Sequence, residues 1–256
     1  MSTAPILHST VTGTGEPIVL IHGYLASSHY FKHIVPLLAK HHQVITLDLL
    51  GFGKSPKPRT DHTYEEQITA IDATLSHLNV ERPFVLLGHS MGALVALRYA
   101  VHHGDDVQKL MLFNPPLFTD IKQMIATHKS TGRHYRALLY SSARGGYWKA
   151  LKAVPHNTTY RRPAVNFADT VRMSKHAREG SYNHVIGGSK IFTDLRKTTM
   201  PVLLVNGTYD RAVYQENLAG RDFPSNVRLE TVETGHHTLV KNVDLGVSLI
   251  NSFLKT

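Results

Sequence analysis

A serine framed by two glycines, Gly88-His89-Ser90-Met91-Gly92, is the stretch of this chain best suited to chemistry. It follows the apolar run Pro83–Leu87 and precedes the apolar Ala93–Leu97. A strand therefore runs into Gly-x-Ser-x-Gly and a helix runs out, the setting that presents a serine on a tight strand-to-helix turn. The turn needs small neighbours, and Gly88 and Gly92 supply them. Ser90 then sits at a strand's end with a helix N-terminus behind it, where developing negative charge is favoured.

A serine hydroxyl is a weak nucleophile. It needs a base to take its proton, and the base needs an acid to orient it. Two later loops offer both. The apolar run Val202–Val205 leads into Asn206-Gly207-Thr208-Tyr209-Asp210, and Val227–Val232 leads into Glu233-Thr234-Gly235-His236-His237. With 18 histidines in the chain, identity alone selects none; loop position selects His236, and its neighbour His237 is the competing choice. His22 and His89 are expected to shape their loops. Asp210, on a loop just past a strand's end, is the candidate acid, with a solvated surface acid as the plain alternative.

The elements that must carry these loops follow from periodicity. Pro17–Ile21, Val44–Leu47 and Val107–Phe113 are further short apolar runs that predict buried strands. Helical spacing predicts helices over His29–Lys40, Tyr64–Leu78 and Val243–Leu254. Gly13-Thr14-Gly15 predicts a hairpin turn. Strands alternating with helices imply a mostly parallel sheet covered on both faces, with ligands at the carboxyl ends of the strands.

Five motifs in one order resemble the α/β-hydrolase family, nucleophile-serine branch. They are His22-Gly23-Tyr24, Asp48-Leu49-Leu50-Gly51-Phe52-Gly53-Lys54-Ser55, Gly88–Gly92, Gly207-x-x-Asp210 and Gly235-His236. The resemblance implies an α/β-hydrolase fold with a core over 1–117 and 198–256. It also implies a mostly helical cap over 118–197, inserted after the sixth strand of the family fold. By the same resemblance Ser90 is the nucleophile, His236 the general base and Asp210 its orienting acid. The resemblance also implies an oxyanion hole made by the backbone N–H groups of Tyr24 and Met91. Serine at the elbow, rather than aspartate, argues against dehalogenase or epoxide-hydrolase chemistry.

Composition narrows the rest. The 256 residues, 42% hydrophobic and 18% charged, suit one globular domain with an insertion. There are no cysteines, so disulfides, thiol catalysis and thiolate metal sites are excluded. Met1–Thr10 has no basic or apolar leader pattern, and no apolar run approaches the roughly 18 residues of a membrane span. A cytoplasmic location is the expectation. Gly53-Lys54-Ser55 ends like a phosphate-binding loop, but Asp48 stands where that motif requires glycine. No cofactor and no metal are expected, and nothing specifies an oligomeric state.

The segment 118–197 carries 15 Lys and Arg against four acids, a net of +11, while the rest of the chain nets −2. Its arginines, among them Arg133, Arg136, Arg144, Arg161 and Arg162, could hold a substrate carboxylate; solvated outer helix faces are the plainer expectation. Tyr140, Tyr147, Trp148 and Phe167 could line an acyl pocket or pack the cap. The leading expectation is hydrolysis of small carboxylic esters through an acyl-enzyme. The alternative within the same machinery is a carbon–carbon hydrolase or lyase acting on an anionic substrate. An alternative of another class is binding of an anionic surface or nucleic acid by the basic segment, for which no nucleic-acid motif speaks.

Overall fold

A computed structural model describes residues 4–130, 169 and 172–256. Its centre is a seven-stranded sheet. The strands are β1 (Ser9–Thr12), β2 (Pro17–Ile21), β3 (Gln43–Leu47), β4 (Phe84–His89), β5 (Val107–Phe113), β6 (Val202–Gly207) and β7 (Val227–Val232). Their order is β1-β3-β2-β4-β5-β6-β7. Only β1 runs antiparallel to its neighbour; β2 through β7 pair in parallel.

Alternate residues of each strand feed two separate apolar layers, as a period of two requires. Val19, Ile21, Leu86, Leu110 and Leu204 join one layer; Ile18, Leu20, Val85, Leu87, Met111 and Leu203 join the other. Helices close both faces. The short α1 (Val35–Leu38) and the carboxyl-terminal helix cover one. Helices α2 (Tyr64–His77) and α3 (Met91–His102) cover the other. Helix α2 starts on a capping box: Glu66 N–H donates to Thr63 Oγ1 and the Glu66 carboxylate accepts from Thr63 N–H.

The helix expected over His29–Lys40 is broken. A 3-10 turn at Ser28–Phe31 is followed by α1, restarted around Pro36. Proline has no N–H to give the turn before it, so the helix cannot run through. Nor do Gly13 and Gly15 form a hairpin turn: β1 pairs with β3 and not with β2.

Between β5 and β6 lie the described parts of 118–197. These are α4 (Ile121–Ser130), α5 (Lys175–Gly180), a π-helical turn Ser181–Ile186, and α6 (Ile191–Leu195). Residues 131–168, 170 and 171 lie outside the described residues. The arginines at 133, 136, 144, 161 and 162 and the aromatic residues at 140, 147, 148 and 167 fall there. Helices α7 (Ala212–Leu218), α8 (Thr238–Lys241) and α9 (Val243–Leu254) complete the chain. Among the described residues, no helix is long and apolar enough to cross a membrane.

Candidate active site

Ser90 is the single residue between β4 and α3. Its backbone sits at φ 55° and ψ −124°, a left-handed φ that a non-glycine residue adopts only where its surroundings hold it. The two glycines explain how. A Cβ on Gly88 would lie 2.3 Å from Gly92 O and 2.5 Å from Ala93 Cα; one on Gly92 would lie 2.3 Å from both Ile21 O and His22 O. Strand, turn and helix thus meet backbone to backbone. Gly88→Ala is therefore expected to cost about 3 kcal/mol of stability, read by urea unfolding, because overpacked backbone cannot move aside. A stability equal to that of the parent protein would show that the turn has slack.

The loops after β6 and β7 are sewn together by Thr208 N–H to Val232 O (2.8 Å) and Tyr209 N–H to Thr234 O (2.9 Å). That pairing brings Asp210 and His236 to Ser90, across 146 residues of sequence. The Ser90 hydroxyl donates to His236 Nε2 at 2.8 Å, and His236 Nδ1–H donates to Asp210 Oδ2 at 2.7 Å. A carboxylate only accepts, so the Asp210 contact fixes the imidazole proton on Nδ1 and leaves Nε2 free to accept. The Asp210 side chain is 3% exposed and its other oxygen accepts from Arg211 N–H at 2.9 Å. The imidazole of His236 is 31% exposed, so the site opens on its base.

Two further contacts hold the base loop from beneath. His89 Nε2–H donates to the His236 carbonyl at 2.8 Å, and Asn114 Nδ2–H donates to the Gly235 carbonyl at 3.3 Å. Burial, then the neighbouring His236 and His237, push the His89 pKa well below the ordinary histidine value. His89 stays neutral and stacks on Tyr30, with ring centroids 4.1 Å apart. Sequence reasoning had no signal for the role of Asn114, since its partner is a backbone carbonyl 121 residues away.

Residues 22–24 pass directly beside the nucleophile: a Cβ on Gly23 would come 2.8 Å from Ser90 Cβ. His22 is fully buried. Its Nε2 accepts from Leu49 N–H at 3.0 Å and its Nδ1–H donates to Gly23 O at 2.8 Å, which ties this loop to the turn that follows β3. Burial lowers the His22 pKa. The turn itself hangs on Asp48, which accepts from Ser28 N–H at 2.7 Å and Lys54 N–H at 2.8 Å. Burial opposes the charge on Asp48, but these hydrogen bonds hold its carboxyl below the usual range. Met91 is the first residue of α3, so its N–H has no acceptor within the helix.

Four buried histidines and the partly buried His237 therefore share one behaviour. Burial is the leading cause of a lowered pKa at His22, His62 and His89, at His128 (to about 4) and at His237 (to about 3). An unfolded histidine takes up a proton near pH 6.5, while these take it up only at lower pH in the fold. The unfolded state then binds more protons, and stability falls as pH falls from about 6.5 toward 4. The expected slope reaches about 1.4 kcal/mol per pH unit for each histidine held as low as His128 and His237. Urea unfolding across that range checks it; a flat profile would contradict it.

Among the described residues, one group of His and Asp ligand atoms lies close enough to share an ion: Asp72, His103 and Asp106. Arg82 already bonds both carboxylates. His103 follows the far end of α3, roughly 18 Å of helix from Ser90. The group has no part in the site.

A family model described as alpha/beta hydrolase fold matches residues 16–243. An uncharacterized hydrolase, YugF, of Bacillus subtilis (strain 168) is 28% identical, with 99% of each chain covered. The 2-hydroxy-6-oxo-6-(2'-aminophenyl)hexa-2,4-dienoic acid hydrolase of Metapseudomonas resinovorans is 35% identical over 103 residues, 39% of this chain and 36% of that protein. The chain thus spans about a third of that relative's length in the alignment. Among solved structures, an esterase from Exiguobacterium antarcticum superposes with a TM-score of 0.74 at 24% identity, covering 98% of this chain and 96% of that one. That likeness is one of fold.

Proposed function

The chain belongs to the α/β-hydrolase fold family, and from that premise we propose that it is a serine hydrolase cleaving carboxylic esters of small to medium size through an acyl-enzyme on Ser90. One observation carries the reading: the unbroken hydrogen-bonded chain from Asp210 through His236 to Ser90.

The steps follow from those contacts. Ser90 Oγ attacks the ester carbonyl carbon as His236 Nε2 takes the hydroxyl proton. The carbonyl oxygen becomes an oxyanion and is held by the N–H groups of Tyr24 and Met91. Donors of this kind contribute about 3 kcal/mol to transition-state stabilisation. The tetrahedral adduct collapses, the alcohol leaves with the proton from His236, and the acyl group stays on Ser90. Water then repeats the attack with His236 as base, and the acid departs. Asp210 remains ionised and stabilises the imidazolium at each half-reaction. No step calls on a cofactor. In this reading 118–197 is a cap over the carboxyl edge of the sheet, and the substrate enters between cap and core.

A second reading keeps these residues and changes the bond. The relative from Metapseudomonas resinovorans is named as a hydrolase of a dienoic acid, which supports carbon–carbon cleavage of an anionic ketone as the competitor. A panel of p-nitrophenyl esters of increasing acyl length, assayed beside one vinylogous diketo acid, separates the two. Ester turnover far above diketo-acid turnover is the expected result. The reverse ranking would overturn the ester assignment.

A further inference from the structure

Arg178 presents an electrostatic problem that the proposed chemistry leaves unsolved. It lies on α5, and its side chain is 5% exposed. A guanidinium stays charged at any physiological pH. Yet Nε and Nη1 are buried and have no hydrogen-bond partner among the described residues. The nearest carboxylate, Glu179, lies 4.0 Å from Nη2 and is 40% exposed. A buried charge left with open donors is costly, and it persists where a ligand supplies the missing partner.

The helix orients this group. Ala177 and Gly180 face the core: a Cβ on Gly51 would strike Ala177 Cβ, and one on Gly180 would strike Asp61 O. Arg178 is turned about 100° from Ala177, toward the side of Ser181 and Tyr182. Ser181 is fully buried and its Oγ also has no partner among the described residues. Tyr182 packs its ring 6.2 Å from that of Tyr24. The Tyr24 hydroxyl donates to the Arg178 carbonyl at 2.8 Å. Tyr24 in turn follows Gly23, the residue pressed against Ser90. Helix geometry thus starts the Arg178 and Ser181 side chains from the side that also carries Tyr182, which packs on the loop beside the nucleophile.

We propose that Arg178, with Ser181 beside it, is an anion subsite of the Ser90 site that binds a carboxylate carried by the substrate. The proposal rests on Ser90 being the nucleophile, and it narrows the substrate class to esters, or carbon–carbon analogues, bearing a second, free carboxylate. The guanidinium donates to the carboxylate oxygens, and the Ser181 hydroxyl can donate a further hydrogen bond.

The test compares mono-p-nitrophenyl glutarate with the neutral p-nitrophenyl butyrate in the parent enzyme, Arg178→Met and Arg178→Lys, with glutarate binding followed separately by NMR titration. The parent enzyme is expected to favour the anionic ester. In Arg178→Met the ratio of kcat/KM for the anionic over the neutral ester is expected to drop about 10- to 100-fold, mainly through KM, which is the worth of hydrogen bonds to a charged group. Glutarate binding should weaken by a similar factor. Arg178→Lys, which keeps the charge and loses the fork, should fall between the two, and it carries the test if the methionine variant does not fold. Ser90-dependent ester turnover with the same ratio in all three proteins would overturn the subsite and leave the hydrolase reading standing. Glutarate binding that depends on Arg178, in an enzyme that turns over neither ester, would support the subsite and remove the esterase reading.

Discussion

Ser90→Ala is expected to lower kcat for a simple p-nitrophenyl ester by about 10⁴-fold or more, the scale seen when a triad nucleophile is removed. The reason is local. Ser90 Oγ is the atom 2.8 Å from His236 Nε2, at a strand end where residues 23 and 91 flank it. No other hydroxyl is hydrogen-bonded to that nitrogen among the described residues. The substitution removes one oxygen and keeps the Cβ, so the elbow and its contacts stay in place. The thermal midpoint should therefore remain close to that of the parent. Loss of activity with an intact melting transition assigns the loss to chemistry. Ester turnover retained by the folded variant would mean that another group attacks.

Asp210→Asn is expected to reduce kcat by about 10⁴-fold while leaving the fold intact. Asparagine is nearly the shape of aspartate, so packing around position 210 is preserved. What changes is the proton on the imidazole. The Asp210 carboxylate accepts from His236 Nδ1–H at 2.7 Å and so keeps Nε2 bare. An asparagine amide can donate to Nδ1 instead, which moves the ring proton to Nε2, where it blocks acceptance from Ser90. The stabilising charge opposite the imidazolium is lost as well. Measuring kcat above pH 8 separates this from a mere shift in protonation: the loss should persist. Activity within about tenfold of the parent across pH would contradict a tautomer-fixing role for Asp210.

Most of the sheet was legible because parallel strands are buried on both faces and read as short apolar runs. Val107–Phe113 and Val227–Val232 were bounded as observed, and the elbow strand, Val202–Val205 and Val44–Leu47 were placed within two residues or so. Strand β1 was not legible. Ser9–Thr12 is an exposed edge with neither an apolar run nor alternation. The two glycines after it looked like a hairpin because turn residues signal a change of direction and not a pairing partner. Their φ values of 79° and 109° let the chain pass over the backbone carbonyls of residues 39–42 and carry β1 to the far side of β3. The apolar spacing over His29–Lys40 marks which residues face the core and carries no sign of the restart at Pro36.

For the site, loop position offered Ser90, Asp210 and His236 as candidates, since each follows the carboxyl end of a strand, and the family resemblance chose among their neighbours. The struts under them were legible only in part: a loop-shaping role was expected of His89, but not its partner, and no role was expected of Asn114. His89 and Asn114 hold backbone carbonyls of the base loop, and a carbonyl leaves no trace in residue type. Arg178 was equally hidden, one of 15 basic residues in its segment until burial set it apart. Charge in a sequence reports what the chain can bind; only packing reports which charge has been taken out of water.

The central claim is that Ser90 carries the acyl group. Capture of that intermediate tests it most directly: the enzyme is mixed with p-nitrophenyl acetate, quenched in acid within the first turnovers, digested and mapped by peptide mass. The account predicts one acetyl group per chain, on the peptide holding Ser90, and none in Ser90→Ala. Hydrolysis with the acetyl group on another residue, or with no acyl-enzyme even when Asp210→Asn slows its breakdown, would contradict it.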